Sequence, residues 1–181
     1  MERRTYALRI AYDGARFRGW QRQTGERTVQ QALEDALAVS LGEPFPVHGA
    51  ARTDAGVHAE GQVASFSIRR SLPAADLLTM SVPSAIRILG AAEAGQSFHA
   101  RASAIGKSYR YRFAWGDFDR HGAFHLGGST PDWDRARLAL EGLRGLPHLA
   151  GLASPAPRRK PAPPLEVWTL SVRQQHAELL V

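Results

Sequence analysis

Thr5-Tyr6-Ala7-Leu8-Arg9-Ile10-Ala11-Tyr12 alternates large apolar side chains with small or charged ones, and Asp13-Gly14 follows directly. A strand with this spacing carries Tyr6, Leu8, Ile10 and Tyr12 on one face, and Asp-Gly supplies the turn chemistry that ends it. Beyond the turn lies a polar, aromatic loop, Phe17-Arg18-Gly19-Trp20-Gln21-Arg22-Gln23. Thr28 and Gln31 match a capping box. They open a helix whose apolar stripe is Val29, Leu33, Ala36, Leu37 and Leu41, with Gly42 as its stop.

The next segments complete a pattern. Pro46-Val47-His48 reads as a short strand leading into a loop around Asp54. Gln62 to Ile68 alternates as a second strand, Leu72 to Met80 reads as a helix begun at Ser71-Leu72-Pro73, and Ile86 to Ala91 as a strand. The order is β-α-β-β-α-β, which predicts an α+β, ferredoxin-like arrangement over residues 1–97. An open antiparallel sheet of this kind is a common platform for RNA.

Residues 98–181 begin in the same way. Lys107 to Trp115 reads as a strand with Tyr109, Tyr111, Phe113 and Trp115 on one face. Thr130-Pro131-Asp132 opens a helix with Pro at its first position, Trp133, Ala136, Leu140 and Leu143 as its stripe, and Gly145 as its end. Ser154 to Pro164 is a basic, proline-rich loop, and Leu165–Val172 with Ala177–Val181 reads as a hairpin. This second α+β subdomain is expected to be incomplete, without a closing α-β, and to share a mixed or antiparallel sheet with the first.

Composition narrows the function. The net charge of +6 and pI of about 10.4 point to a polyanionic partner. All but two of the basic residues (Lys107 and Lys160) are arginines, suited to bidentate phosphate contacts and to stacking on bases. The 181 residues contain no cysteine, which excludes disulfides and thiolate metal sites and fits a cytoplasmic location. No apolar run reaches transmembrane length. His48, His58 and His99 match no metal-ligand spacing, and Gly122 to Gly128 lacks the Lys-Ser/Thr of a nucleotide-binding loop.

Asp54, in Arg52-Thr53-Asp54-Ala55-Gly56-Val57-His58, is the sharpest chemical candidate. A carboxylate flanked by Arg52 has its charged form favoured, which suits a nucleophile or a charge stabiliser. A turn aspartate beside glycine is more commonly structural. Tyr109 and Tyr111, near Lys107 and Arg110, are of the kind that stacks nucleobases, although aromatic residues on an alternating strand are commonly core. The loop holding Arg18, Gln21, Arg22 and Gln23 has the chemistry to grip an RNA backbone.

Four segments together resemble the TruA family of tRNA pseudouridine synthases. They are Ile10-Ala11-Tyr12-Asp13-Gly14 with Phe17, Gly19-Trp20-Gln21 and Gln23; Thr28-Val29-Gln30 with Leu33-Glu34 and Ala36-Leu37; Arg52 to Ala59 with Gly61-Gln62-Val63 and Phe66; and Phe98-His99-Ala100-Arg101 with Ser103-Ala104, Lys107 and Tyr109-Arg110-Tyr111. The resemblance implies the pseudouridine synthase fold and a cofactor-free, metal-free isomerisation of uridine in the anticodon arm of tRNA, by a homodimer. It implies Asp54 as nucleophile, Tyr109 stacking on the flipped base, and Arg52 aiding base extrusion. Arg18, Gln21, Arg22, Gln23, His58, Arg101, Lys107 and Arg110 are the RNA contacts expected with it. The sequence departs from the family pattern at Ala51, where glycine is usual, and at Ala102, where an aromatic is usual. It is also expected to be shortened at its C-terminus, without the Met-Val-Arg segment whose arginine pairs with the aspartate. Three readings follow: an active synthase, a non-catalytic tRNA- or RNA-binding relative, and a truncated gene product that folds poorly.

Overall fold

A computed structural model describes residues 2–114, 124–125 and 132–143. The chain divides into two compact units, Met1–Ser108 and Tyr109–Val181.

In the first unit, β1 (Arg4–Tyr12), β2 (His48–Gly49), β3 (Ala59–Ile68) and β4 (Ile86–Ala94) form an antiparallel sheet in the order β2-β3-β1-β4. The alternation in β1 decides which face is covered. Tyr6, Leu8, Ile10 and Tyr12 are all buried, and Tyr6 and Leu8 stand opposite Phe66 and Ala64 of β3. Tyr6 and Phe66 also stack, with ring centroids 5.7 Å apart. Helix α1 (Val29–Leu41) presses Val29, Leu33, Ala36 and Leu37 into the same core, and α2 (Ala74–Leu78) adds Leu77. One face of the sheet therefore carries the apolar core.

The helix signals act as the sequence suggests. Thr28 Oγ1 accepts from the Gln31 amide at 3.4 Å, and Gly42, at φ 84°, closes the C-terminus. Helix α2 is shorter than the expected Leu72–Met80. The Leu72 amide donates to the Tyr6 hydroxyl at 2.7 Å, which ties that residue to β1 and moves the helix start to Pro73. Strand β4 runs three residues further than expected, because Ala92, Glu93 and Ala94 pair with Ala7, Tyr6 and Thr5.

The opposite face of the sheet is small and polar, with Thr5, Ala7, Ser65 and Ser67. Thr5 and Ser67 share a side-chain hydrogen bond of 3.0 Å. Residues 96–103 lie on this side: Thr5 Oγ1 donates to the Gln96 carbonyl, the buried Ala100 donates its amide to Ser65 Oγ at 3.0 Å, and His99 stacks on His48 at 4.7 Å. These bonds keep residues 98–108 with the first unit, whereas the sequence suggested a division after residue 97.

In the second unit, β5 (Phe113–Ala114) pairs in parallel with β6 (Phe124–His125), and α3 (Trp133–Glu141) follows. Of the long strand expected from Lys107 to Trp115, the described residues show only Phe113–Ala114. Residues 104–112 have no regular structure, and alternation alone does not make a strand. Asp132 caps α3 by accepting from the Arg135 amide at 2.9 Å, so the first helical position is Trp133, and the helix ends at Gly142 rather than at Gly145. Trp133, Ala136, Leu140 and Leu143 share its half-buried side, as the stripe predicted. Trp115, the Ser154–Pro164 loop and the C-terminal hairpin lie outside the described residues.

Leu33 is fully buried and Val39 is 85% exposed on the same helix. Leu33→Ala should cost roughly 2–5 kcal/mol of unfolding free energy, and Val39→Ala less than about 0.5 kcal/mol. Urea unfolding of the full chain measures both, and equal costs would contradict the assigned faces.

Candidate active site

Asp54 sits in the connection between β2 and β3, and a second loop, between β1 and α1, holds that connection in place. Just after β1 a single 3₁₀ turn, Gly14–Arg16, is capped by Asp13, whose carboxylate accepts from the Ala15 amide at 3.1 Å. A methyl group on Gly14 would stand 2.0 Å from the Val57 carbonyl oxygen, so only glycine permits the two loops to approach this closely. Gly19 has φ +94°, and a methyl there would lie 2.8 Å from the Thr53 carbonyl. Trp20, which is 1% exposed, donates its amide to that carbonyl at 2.9 Å, and Gly56 donates to the Phe17 carbonyl. The turn itself closes with the Val57 amide donating to the Asp54 carbonyl at 3.2 Å.

Side chains from the core grip the residues just before Asp54. The Gln62 amide group brackets Ala51, accepting from its N–H at 3.2 Å and donating to its carbonyl at 2.8 Å. Thr53 Oγ1 and the Tyr12 hydroxyl are 2.8 Å apart. A register shift in β1 between Ile10 and Tyr12 brings Tyr12 opposite Ala59, at the end of the strand nearest this loop. Burial raises the Tyr12 pKa, with hydrogen bonds to Thr53 and Gln62 pulling the other way, so the phenol stays protonated.

The result is an exposed carboxylate on a stiff loop. Asp54 opens onto a cleft of about 460 Å³, lined also by Arg18, Gln21, Gln23, Glu26, Arg52 and Trp20. Among the described residues the Asp54 carboxylate accepts no hydrogen bond and forms no ion pair. The neighbouring Arg52 likewise forms no ion pair with it among the described residues.

The remaining expected site residues fall in several places. Arg18 pairs with Glu26 at 3.6 Å, and Gln23 donates to the Arg18 carbonyl. Gln21 donates to Gln30 at 2.9 Å, and Arg22 pairs with the buried Glu34 at 2.8 Å, outside the cleft lining. His58 lies 3.2 Å from Asp13. Arg101 is in the turn beside His99, whose Nδ1 accepts from the Arg101 amide at 3.2 Å. Lys107 is exposed in the irregular stretch that ends the first unit. Tyr109 and Arg110 belong to the second unit, where Tyr109 is 65% exposed and Tyr111 stacks on Phe113.

Tyr12, Thr53, Gln30, Glu34 and Gln62 were not among the expected site residues. Glu34 is 6% exposed and accepts from Gln30, from the Val47 amide and from Arg22. The available signal was a charged residue next to Leu33 within the apolar stripe of α1, a position that demands buried partners.

Two outcomes test this geometry. Gly19→Ala forces a methyl into a left-handed backbone position against Thr53, a strain of roughly 1–3 kcal/mol. Faster amide hydrogen exchange across residues 51–57 should report it, and unchanged exchange would refute the close fit. His48 behaves differently. Burial first, then the charges of His99, Arg101 and Arg3, lower its pKa from 6.5, against a smaller opposing pull from Glu34. A folded-state pKa below the unfolded one means that the associated stability is complete above pH 6.5 and is lost as pH falls through the lower folded value. His48→Gln should therefore soften the acid loss of stability and leave stability at about pH 8 unchanged. Urea titrations at both pH values check the sign.

Comparison with known proteins bears on the chemistry. A family model described as tRNA pseudouridine synthase matches residues 9–101. The proteins named tRNA pseudouridine synthase A from Rippkaea orientalis and Picosynechococcus are 41% and 38% identical over 87% and 88% of the chain, covering 56% and 61% of their own lengths. That from Solidesulfovibrio magneticus is 48% identical over 58% of the chain and 40% of its own length. The chain thus spans about half the length of the curated relatives it matches. The matched region contains both loops that build the cleft, from Asp13 to Gln23 and from Arg52 to His58, and by that match the chain belongs to the tRNA pseudouridine synthase family.

Proposed function

We propose that this chain serves the isomerisation of uridine to pseudouridine in tRNA, with Asp54 as the nucleophile and no cofactor. The observation that carries the reading is the Asp54 carboxylate, held without a competing partner among the described residues on a braced loop, in a cleft whose lining also includes Arg18, Arg52, Gln21, Gln23 and Glu26. In the proposed reaction the carboxylate attacks the sugar or the base while the C1′–N1 bond breaks. The detached uracil turns and rejoins C1′ through C5, which loses its proton as N1 gains one. Arg52, close to Asp54 in the cleft, is proposed to occupy the space left by the extruded base, and Tyr109 to stack on that base and assist removal of the C5 proton.

Arg18, Gln21 and Gln23 on the cleft wall are proposed to contact the RNA backbone, as are Arg22, His58, Arg101, Lys107 and Arg110. The net charge of +6 supports a polyanionic partner. Membership of the family supports tRNA as that partner, and resemblance extends the proposal to the anticodon arm and to a homodimer. The sheet order β2-β3-β1-β4 with its helices on one face supports reading the first unit as ferredoxin-like.

The full chain, incubated with unmodified tRNA, should form pseudouridine, and Asp54→Asn should abolish this while tRNA binding stays within about threefold. Binding without turnover, indifferent to Asp54→Asn, would instead make the chain a tRNA-binding relative with no catalytic role.

A further inference from the structure

Tyr12 is 4% exposed, yet its hydroxyl reaches the side chain of the residue preceding Asp54, and it also engages the Gln62 side chain that brackets Ala51. Thr53 is thus held from two sides. Its hydroxyl meets Tyr12 at 2.8 Å, and its carbonyl receives the Trp20 amide at 2.9 Å. The rings of Tyr12 and Trp20 pack with centroids 6.3 Å apart, so both anchors belong to one rigid block. With the Thr53 carbonyl and side chain fixed, the peptide leading into Asp54 has little freedom left. A phenylalanine at position 12 would fill the same core volume and lose only the hydroxyl's contacts, with Thr53 and with Gln62.

We propose that the Tyr12 hydroxyl is a positioning residue for the proposed isomerisation: through Thr53 it sets the direction in which the Asp54 carboxylate enters the cleft. The inference rests on the reading of Asp54 as nucleophile. Effective attack requires the reacting atoms to be aligned, and a misplacement of about 1 Å costs on the order of 100-fold in rate. Removing the hydroxyl therefore weakens turnover without weakening the grip on RNA, which the cleft-wall residues supply.

The test compares the full wild-type chain with Tyr12→Phe, Thr53→Val and Thr53→Ser, measuring single-turnover pseudouridine formation, tRNA affinity, thermal midpoint and hydrogen exchange over residues 51–57. The expected result is a roughly 10- to 100-fold slower chemical step in Tyr12→Phe and Thr53→Val. Affinity and thermal midpoint should stay near wild type, and Thr53→Ser, which keeps the hydroxyl, should recover most of the rate. A rate within twofold of wild type for Tyr12→Phe overturns the proposal. So does a loss that tracks weaker tRNA binding or a lower midpoint, because the hydroxyl would then be merely structural. If the wild-type chain itself makes no pseudouridine, the functional reading fails separately. The positioning role is then decided by exchange: faster exchange confined to residues 51–57 in Tyr12→Phe supports it, and unchanged exchange overturns it.

Discussion

The hydrogen bond from the Trp20 amide to the Thr53 carbonyl joins the two loops on which this site depends. Trp20 is buried in the core, and Thr53 immediately precedes Asp54, so this backbone contact, with that of Gly56 to the buried Phe17, ties the Asp54 loop to the hydrophobic interior. The same loop also seats α1, because the Val29 and Gln30 amides donate to the Gly19 and Trp20 carbonyls at 3.2 and 3.0 Å. The first turn of a helix has amides without partners inside the helix. Here they are used to fasten the helix to the loop that braces Asp54. Loops that carry chemistry gain precision from a rigid scaffold, and this one is attached to sheet and helix together.

A second anchor lies beneath the cleft rim. Glu34 is buried on α1, where an unpaired carboxylate would be strongly destabilising. Its oxygens accept from Gln30, Val47 and Arg22, and Gln30 in turn accepts from Gln21 and from the Arg22 amide and donates to the Val47 carbonyl. One side of this network orders the approach to β2. The other fixes the backbone of Gln21 and Arg22, which continues into the cleft wall. Hydrogen bonds to a charged group contribute about 1.5–3 kcal/mol each, so the rim is rigid although its side chains are exposed.

Legibility in the sequence followed the range of the interaction. The core face of β1 and the stripe of α1 were readable because burial repeats with the period of the element, as at Tyr6, Leu8 and Ile10 or at Val29, Leu33 and Leu37. Thr28 and Gly42 were readable because a cap acts within four residues. The start of α2 was misjudged, since a tyrosine 66 positions earlier in sequence takes the Leu72 amide. Of the strand expected at residues 107–115 the described residues show only Phe113–Ala114, and periodicity names a face but not a pairing partner. Asp54 was legible as a candidate, but its support was not. Tyr12 and Thr53 are 41 residues apart, and only the shift in β1 register brings them together. Arg52 and Asp54 show the converse, because proximity along an extended chain does not make an ion pair.

The absence of that pair among the described residues bears on the proposed chemistry. A carboxylate locked to an arginine in the free protein would have to give up that bond before attacking, and the cost would be added to the barrier. Asp54 is instead exposed and solvated, positioned by backbone contacts on either side of it and not by its own charge. Its orientation is therefore established before substrate arrives, while its hydration is removed only when a base and sugar fill the cleft. On the proposed reaction, part of the RNA binding energy then serves to desolvate the nucleophile, and Arg18 and Arg52 on the cleft wall meet a cleft that has gained phosphates. Binding interactions remote from the reacting atoms contribute to rate in this way. A braced aspartate with no partner among the described residues, in a cleft that also presents Arg18 and Arg52, is the arrangement that permits it.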